Sequence, residues 1–467
     1  MQAIDRQQHE GRIIGCDDRD IDRVSHRTIR TVGGVIVLSA LLLLAPAAPL
    51  PLYAAATLVW FALLRDPSPH VVGIALLLRV AASLRAPVWS GDVYRYLWDG
   101  LVATSGIHPY QYAPIDSALA ALRPEWFDRI NHPNIATIYP PYAEVLFALT
   151  GGSLLVWRAI LIALDLWTVK MLSHRDRRVA FAYATAPLVL FEGFWSAHVE
   201  IAAIAFLVAA MRGAGVPPTR REASRLAASS VDEQSARRRH HGGVATALLA
   251  IAAGIKLTPL AAFPVMMRDR PHRLRHAGVF LLTFTTPIAL AGMAMPGLLP
   301  YATRWSFNSP LYLLAKRIAE QVPAKAIWTA IKDPLRLERI SDRVYSHLHP
   351  DFMARALLAI GLVLVLIVIL RRVRETDAAV ADSLAALLLF SPTIHPWYWL
   401  VVLPFALLAS RALWLWLAMF SPLSYLMYEP SQHIGDPSQT VVMLLCYSIP
   451  AIGWLLTRSR LRHEKTR

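Results

Sequence analysis

The sequence predicts an all-α, polytopic membrane protein, and three observations carry that expectation. The 467 residues are 55% hydrophobic and only 17% charged, with a mean hydropathy of +0.42, outside the range of an ordinary soluble domain. Apolar stretches long enough to cross a hydrocarbon core of about 30 Å recur along the whole chain, among them 31–50, 277–295, 354–370 and 440–457. Basic residues form short blocks beside those stretches, at 6–30, 174–178, 212–241, 268–276, 371–374 and 458–467, as expected of cytoplasmic segments facing anionic lipid.

Placing the basic blocks inside threads the chain in one order. A basic tail, 1–30, precedes a transmembrane domain over 31–457, and a second basic tail, 458–467, follows it. Span 31–49 exits, 50–64 returns to Arg65, and 70–84 exits into a first outer loop, 85–141. Residues 142–150 are too short to span and read as a half-helix ending at Gly151-Gly152. Spans 153–172, 179–195 and 198–211 follow, and then a segment rich in Arg, Ser and Ala, 212–243, reads as a disordered cytoplasmic loop. Residues 242–267 have basic flanks on both sides, so parity asks for a hairpin of two short helices with "GIKLTP" (254–259) at its apex. Span 277–295 exits into a second outer loop, 296–351; spans 352–370, 379–394, 397–410, 412–428 and 440–457 complete the chain. The total is 11–13 helical crossings, with both termini cytoplasmic.

The net charge of +15 does not indicate nucleic acid, because the charge sits beside apolar spans and no aromatic-basic interleaving accompanies it. Cys16 and Cys446 lie in a basic tail and in the last span, so no disulfide framework is expected. The N-terminal region contains acidic residues and no small-residue cleavage site follows 31–50, so that span reads as a retained helix.

On this path the polar clusters converge on one face. They are "SGDVYRYLWDG" (90–100), "GIHPYQYAP" (106–114), "NHPNIATIYPPYAE" (131–144), "WSAHVE" (195–200), "RWSFNSPLY" (304–312) and "PTIHPWYW" (392–399). Charged groups at membrane depth are costly and mark a site, whereas Trp and Tyr there also build an interfacial belt. In a helix, Asp92, Tyr96 and Asp99 share one face, with Arg95 within reach of both carboxylates. A structural reading makes Asp92 an N-cap after Gly91 and Arg95–Asp99 a surface pair. A functional reading leaves Asp99 to Arg95 and frees Asp92 for substrate. Lys256 either snorkels or binds phosphate. Arg304 either anchors at the interface or meets a lipid phosphate beside Asn308. His395 caps a span or touches substrate. His198 and Glu200 begin a span, where a carboxylate needs a partner. His108 and His132 sit beside prolines, where building a turn is the ordinary role.

The first-loop pieces, "SGDVYRYLWDG", "GIHPYQYAP" and "IYPP", resemble the first outer loop of bacterial GT-C-type glycosyltransferases, closest to the polyprenyl-phosphomannose-dependent α-mannosyltransferases. "WSAHVEIAAIAFL", "GIKLTPLAAFPVMM", "RWSFNSPLY" and "SPTIHPWYWLVVLP" follow in the same order, so the resemblance covers roughly residues 85–410. Relatives often read G-x-N-P-Y where this chain has His108, and H-N-D where it has His198-Val199-Glu200.

The resemblance implies a GT-C-like helical bundle with two long extracytoplasmic loops, in the bacterial inner membrane. It implies transfer of a sugar, mannose favoured, from a polyprenyl-phosphate donor to a hydroxyl of a glycan or lipid acceptor, with Asp92 as base. Arg95, Tyr96, His108, Tyr110, Tyr139, His198, Glu200, Lys256, Arg304, Asn308 and His395 are the candidate substrate-binding residues. Such a donor needs no nucleotide loop, and no cofactor is expected. A divalent ion on Asp92, His198 and Glu200 is chemically conceivable, but the spacing does not single it out. A transporter or flippase of a lipid-linked or small polar substrate is the alternative. It lacks the internal repeat and midplane charges that transporters carry. A purely structural subunit leaves the ionisable groups of the two loops without a role.

Overall fold

The computed structural model describes residues 18–44, 49–87, 89–215, 231–268, 270–292, 295–323, 326–330, 349–427 and 437–465. Among them the fold is helical throughout, and the one extended feature is an isolated bridge between Phe307 and Thr393. The chain is an all-α polytopic membrane protein. Its helices are α1 (Asp18–Leu44), α2 (Pro49–Leu63), α3 (Val71–Ser83), α4 (Asp92–Thr104), α5 (Pro141–Ala148), α6 (Leu154–Arg175), α7 (Arg177–Thr185) and α8 (Glu200–Gly215). There follow α9 (Val231–Ile255), α10 (Phe263–Arg268), α11 (Arg273–Leu290), α12 (Leu298–Arg304) and α13 (Pro310–Glu320). The last are α14 (Pro350–Arg372), α15 (Thr376–Leu389), α16 (Leu403–Leu408), α17 (Ala412–Phe420) and α18 (Pro437–Lys465).

Two of the described helices are by themselves long and apolar enough to cross a membrane, Pro350–Arg372 and the Gln439–Leu456 part of α18. Leu357, Ile360, Val363, Leu364 and Val368 of α14 are exposed, an apolar surface suited to lipid rather than to water. Several expected spans are instead chains of shorter pieces, and proline accounts for the breaks. The expected span 179–195 divides at Pro187 into α7 and a π-helical turn, Val189–Trp195, since proline lacks the N–H that would continue the ladder. The expected span 397–410 likewise divides, next to Pro404, into a 3-10 turn, Pro396–Val401, and α16.

The tails and the segment 212–243 differ from expectation. α1 starts at Asp18, inside the expected basic tail, and α18 continues to Lys465. Residues 231–243, read as disordered, are the first half of the single helix α9. Ala, Glu, Gln and Arg favour helix there despite the charge, while 216–230 lie outside the described residues. The expected hairpin therefore has one long arm. Its apex follows Ile255, and a 3-10 turn, Thr258–Ala262, leads into the short α10. The half-helix is present as α5, with Pro141 in its first turn, where the missing N–H costs nothing.

The core runs through α4, α5, α6, α8, α9 and α15, with Tyr96, Trp98, Phe147, Trp157, Phe191 and Trp399 among its largest members. α4 meets α5 at Gly100, where an added Cβ would lie 2.1 Å from the Phe147 carbonyl oxygen. Only glycine lets the two backbones approach so closely.

Candidate active site

A cavity of about 1070 Å³ opens between α4, the long loop 85–141, the α9 apex, the second long loop and the Pro396–Val401 turn. Asp92, Arg95, Asn131, His132, Tyr139, Lys256, Asn308 and His395 are in its wall. It is large for a small-molecule pocket, which typically measures roughly 300–1,000 Å³.

Asp92 is the first residue of α4, with Gly91 at the N-cap position, and its side chain caps nothing. The carboxylate instead accepts a hydrogen bond from Asn131 Nδ2 at 2.5 Å, across 39 residues of sequence. Its second oxygen lies 3.9 Å from His198 Nδ1. Burial raises the Asp92 carboxyl above its ordinary value, opposed chiefly by the Asn131 hydrogen bond and then by the positive Lys256. Burial lowers His132, with Asp92 opposing. Gly91 lets the backbone at Arg129 pack close against the start of α4, because a Cβ there would sit 2.9 Å from the Arg129 carbonyl oxygen.

Arg95 is committed to structure on one edge. Its Nε donates to Asp99 at 2.9 and 3.0 Å, and Nη1 donates to the Ile135 carbonyl at 2.8 Å. The Arg95–Asp99 pair is buried rather than on the surface. Burial raises Asp99, and Arg95 is the strongest opposing influence.

Opposite, Lys256 follows the end of α9. Its Nζ lies 2.8 Å from Glu200 Oε1 and packs over the rings of Tyr139 and Tyr398, 5.5 and 4.9 Å from their centres. Glu200 opens α8 and is fully buried. The Tyr301 and Tyr398 hydroxyls pair in the same wall. His395 and His198 stack on opposite faces of Trp397, with ring centres 4.3 and 4.2 Å from it, and Phe307 covers the far face of His395 at 4.8 Å.

The remaining predicted residues fall elsewhere. Tyr96 is buried behind the wall, stacked on Phe147 and 3.4 Å from His198 Nδ1. His198 and Glu200 also stand behind the wall, each touching a wall residue. Tyr110 donates to the Tyr139 carbonyl and supports that segment from outside. His108 and Arg304 are exposed and are not among the cavity residues. No group of three His, Cys, Asp or Glu side chains among the described residues is placed to hold a metal. Glu200 faces Lys256 instead.

Two participants escaped the sequence reading. Asn131 gave no signal beyond its place in a turn. Glu192 did have one: it is a lone carboxylate inside an apolar run, costly without a partner. Here it lies 3.4 Å from His198 Nε2 and accepts from the Tyr425 hydroxyl at 3.1 Å.

No curated protein and no solved structure matches the chain. The family model for glycosyltransferase family 87 matches residues 137–392, just over half of the sequence. The matched stretch includes Tyr139, Glu192, His198, Glu200, Lys256 and Asn308, and it begins after Asp92. Helical throughout, with apolar helices and a large cavity walled by ionisable and aromatic side chains, the chain is a membrane glycosyltransferase that belongs to glycosyltransferase family 87.

Proposed function

We propose that the protein transfers a sugar, mannose favoured, from a polyprenyl-phosphate donor to a hydroxyl of a glycan or lipid acceptor. The reaction takes place at the extracytoplasmic face of the inner membrane, in a GT-C-like bundle. The observation that carries the reading is that Asp92 and Lys256 share the wall of one cavity. A carboxylate and an ammonium are the two charges such a displacement needs.

Asp92 takes the proton of the acceptor hydroxyl as its oxygen forms a bond to the anomeric carbon. The bond from that carbon to the phosphate oxygen breaks, and the phosphate leaves with the electron pair. Lys256 and Arg95 stabilise the departing anion, with Asn308 and His395 beside the sugar. Direct displacement inverts the anomeric centre, so a β-linked donor gives an α-glycoside. Asn131 holds the Asp92 carboxylate toward the cavity, and Tyr139 forms part of the wall behind the ammonium. No cofactor enters the scheme.

The test is sugar transfer from polyprenyl-phosphomannose in membranes carrying wild-type or Asp92→Asn protein at equal abundance. Transfer by the wild type that falls by about 100-fold or more in the variant supports donor and base together. Transfer that survives the substitution removes Asp92 from the chemistry. A wild type that transfers no mannose but accepts another polyprenyl-phosphate sugar rejects mannose.

A further inference from the structure

The break between the π-helical turn and α8 is a sharply bent stretch of backbone behind the cavity wall. The two helical pieces meet at 115°. Between them Ala197 has φ +58°, a conformation non-glycine residues rarely hold. Trp157 Nε1 donates to the Ala197 carbonyl at 2.9 Å, and the His198 amide donates to the Glu192 carbonyl at 3.2 Å. Strain of this kind persists where surrounding structure enforces it, and it clusters at functional sites. Its result here is to set the His198 ring between two carboxylates. Nε2 lies 3.4 Å from Glu192 and Nδ1 lies 3.9 Å from Asp92, with Trp397 covering one ring face.

We propose that Glu192 and His198 are positioning residues that share one proton behind Asp92 and so keep Asp92 ionised and aimed into the cavity. The inference rests on Asp92 being the base. A lone charge on either member, both fully buried, would cost several kcal/mol, whereas one proton shared between them leaves the pair neutral. With Nε2 turned toward the proton on Glu192, the imidazole presents Nδ1–H to Asp92, and a donor there favours the carboxylate form. The other groups facing this line are Tyr96 from α4, Tyr425 from the Ser421–Met427 turn, and Tyr53 from α2, which lies within the field of Glu192. Lys256 and His395 both disfavour a positive charge on the imidazole, which keeps the shared proton toward Glu192, and Glu200 faces Lys256. The acceptor's proton still ends on Asp92, so the balance of the transfer step is unchanged.

The experiment measures kcat/KM for transfer from polyprenyl-phosphomannose across about pH 5 to pH 9. It uses the full chain in nanodiscs as wild type, Asp92→Asn, Glu192→Gln, His198→Gln and Glu192→Asp. Glu192→Gln and His198→Gln should lose about 10-fold near neutral pH, move the acid limb upward by about one pH unit, and return toward wild type at the alkaline end. Glu192→Asp, which keeps a carboxylate, should leave the limb near its wild-type place even if its rate falls. A loss that is equal at every pH, or no loss at all, overturns the proton-sharing role. So does a limb that moves with Glu192→Asp as far as with Glu192→Gln. If Asp92→Asn keeps its transfer, the base assignment itself falls. If Asp92→Asn is inactive while the Glu192 and His198 losses are flat with pH, only the pair's role falls.

Discussion

Lys256 and Glu200 come from two different helical segments and meet with Nζ 2.8 Å from Oε1, the carboxylate fully buried and the ammonium nearly so. Each solves the other's problem. An unpaired carboxylate at the start of α8 would lie in an apolar core, and an unpaired ammonium would lie at a helix break among tyrosine rings. Attraction at that depth offsets desolvation only while both partners are present.

Removing one partner should therefore cost more than removing both. Glu200→Gln or Lys256→Met alone is expected to destabilise the protein by about 3–5 kcal/mol, and the double variant by clearly less. Thermal unfolding of the three variants in detergent checks this; additive losses would mean that the pair is not coupled.

Asp92 trades stability for ionisation. Its folded carboxyl is raised above the ordinary value of 3.8, with burial as the largest cause. Below the unfolded value both states are protonated and nothing is lost. As pH rises through that value the unfolded carboxyl ionises first, and stability drains until pH passes the raised folded value. Asp92→Asn should consequently melt higher than wild type at pH 7, by about 2 °C or more, and the gain should vanish in acid below the unfolded carboxyl value. A melting point that is lower at neutral pH would contradict the burial argument.

Asn131→Ala removes the main influence that opposes that rise. The acid limb of the rate profile should move to higher pH, with transfer near neutral pH reduced about 10-fold. Initial rates of sugar transfer at several pH values measure both effects.

His108 and Arg304 offer the converse case. Both are exposed and outside the cavity wall, so His108→Ala and Arg304→Ala should leave kcat/KM within about 2-fold of wild type. A large loss in either would mean that the substrate extends beyond the cavity described.

Gly100→Ala tests the contact between α4 and α5. The added methyl meets the Phe147 carbonyl, so a loss of about 1–3 kcal/mol is expected, visible as earlier unfolding or poorer yield of folded protein.

The sequence made some of this plain and concealed the rest for identifiable reasons. Hydropathy exposed the helical membrane architecture because the bilayer leaves few other options. Asp92 and Lys256 stood out because isolated charges near apolar runs are expensive. Helix periodicity placed Tyr96 on the same face as Asp92, but α4 is buried on nearly every side. Tyr96, one turn further on, therefore packs against Phe147 in the core while Asp92 at the helix start reaches the cavity. The Asn131 bond to Asp92 depends on a loop closing over 39 residues, which no local pattern records. Continuous hydropathy also hid the breaks at Pro187 and ahead of Pro404, where individual backbone geometry outweighs average apolarity.

Phe307, His395, Trp397 and His198 stack ring upon ring, and the stack joins the second long loop to the residue behind Asp92. The Phe307–Thr393 bridge fastens the same two segments through the backbone. On the proposed mechanism, exchanging that loop between relatives would disturb the setting of Asp92 along with the part of the cavity wall the loop supplies. On that mechanism a change in the loop's share of the cavity wall and a change of rate travel together, and an engineered loop transplant would have to carry the Pro396–Val401 turn with it.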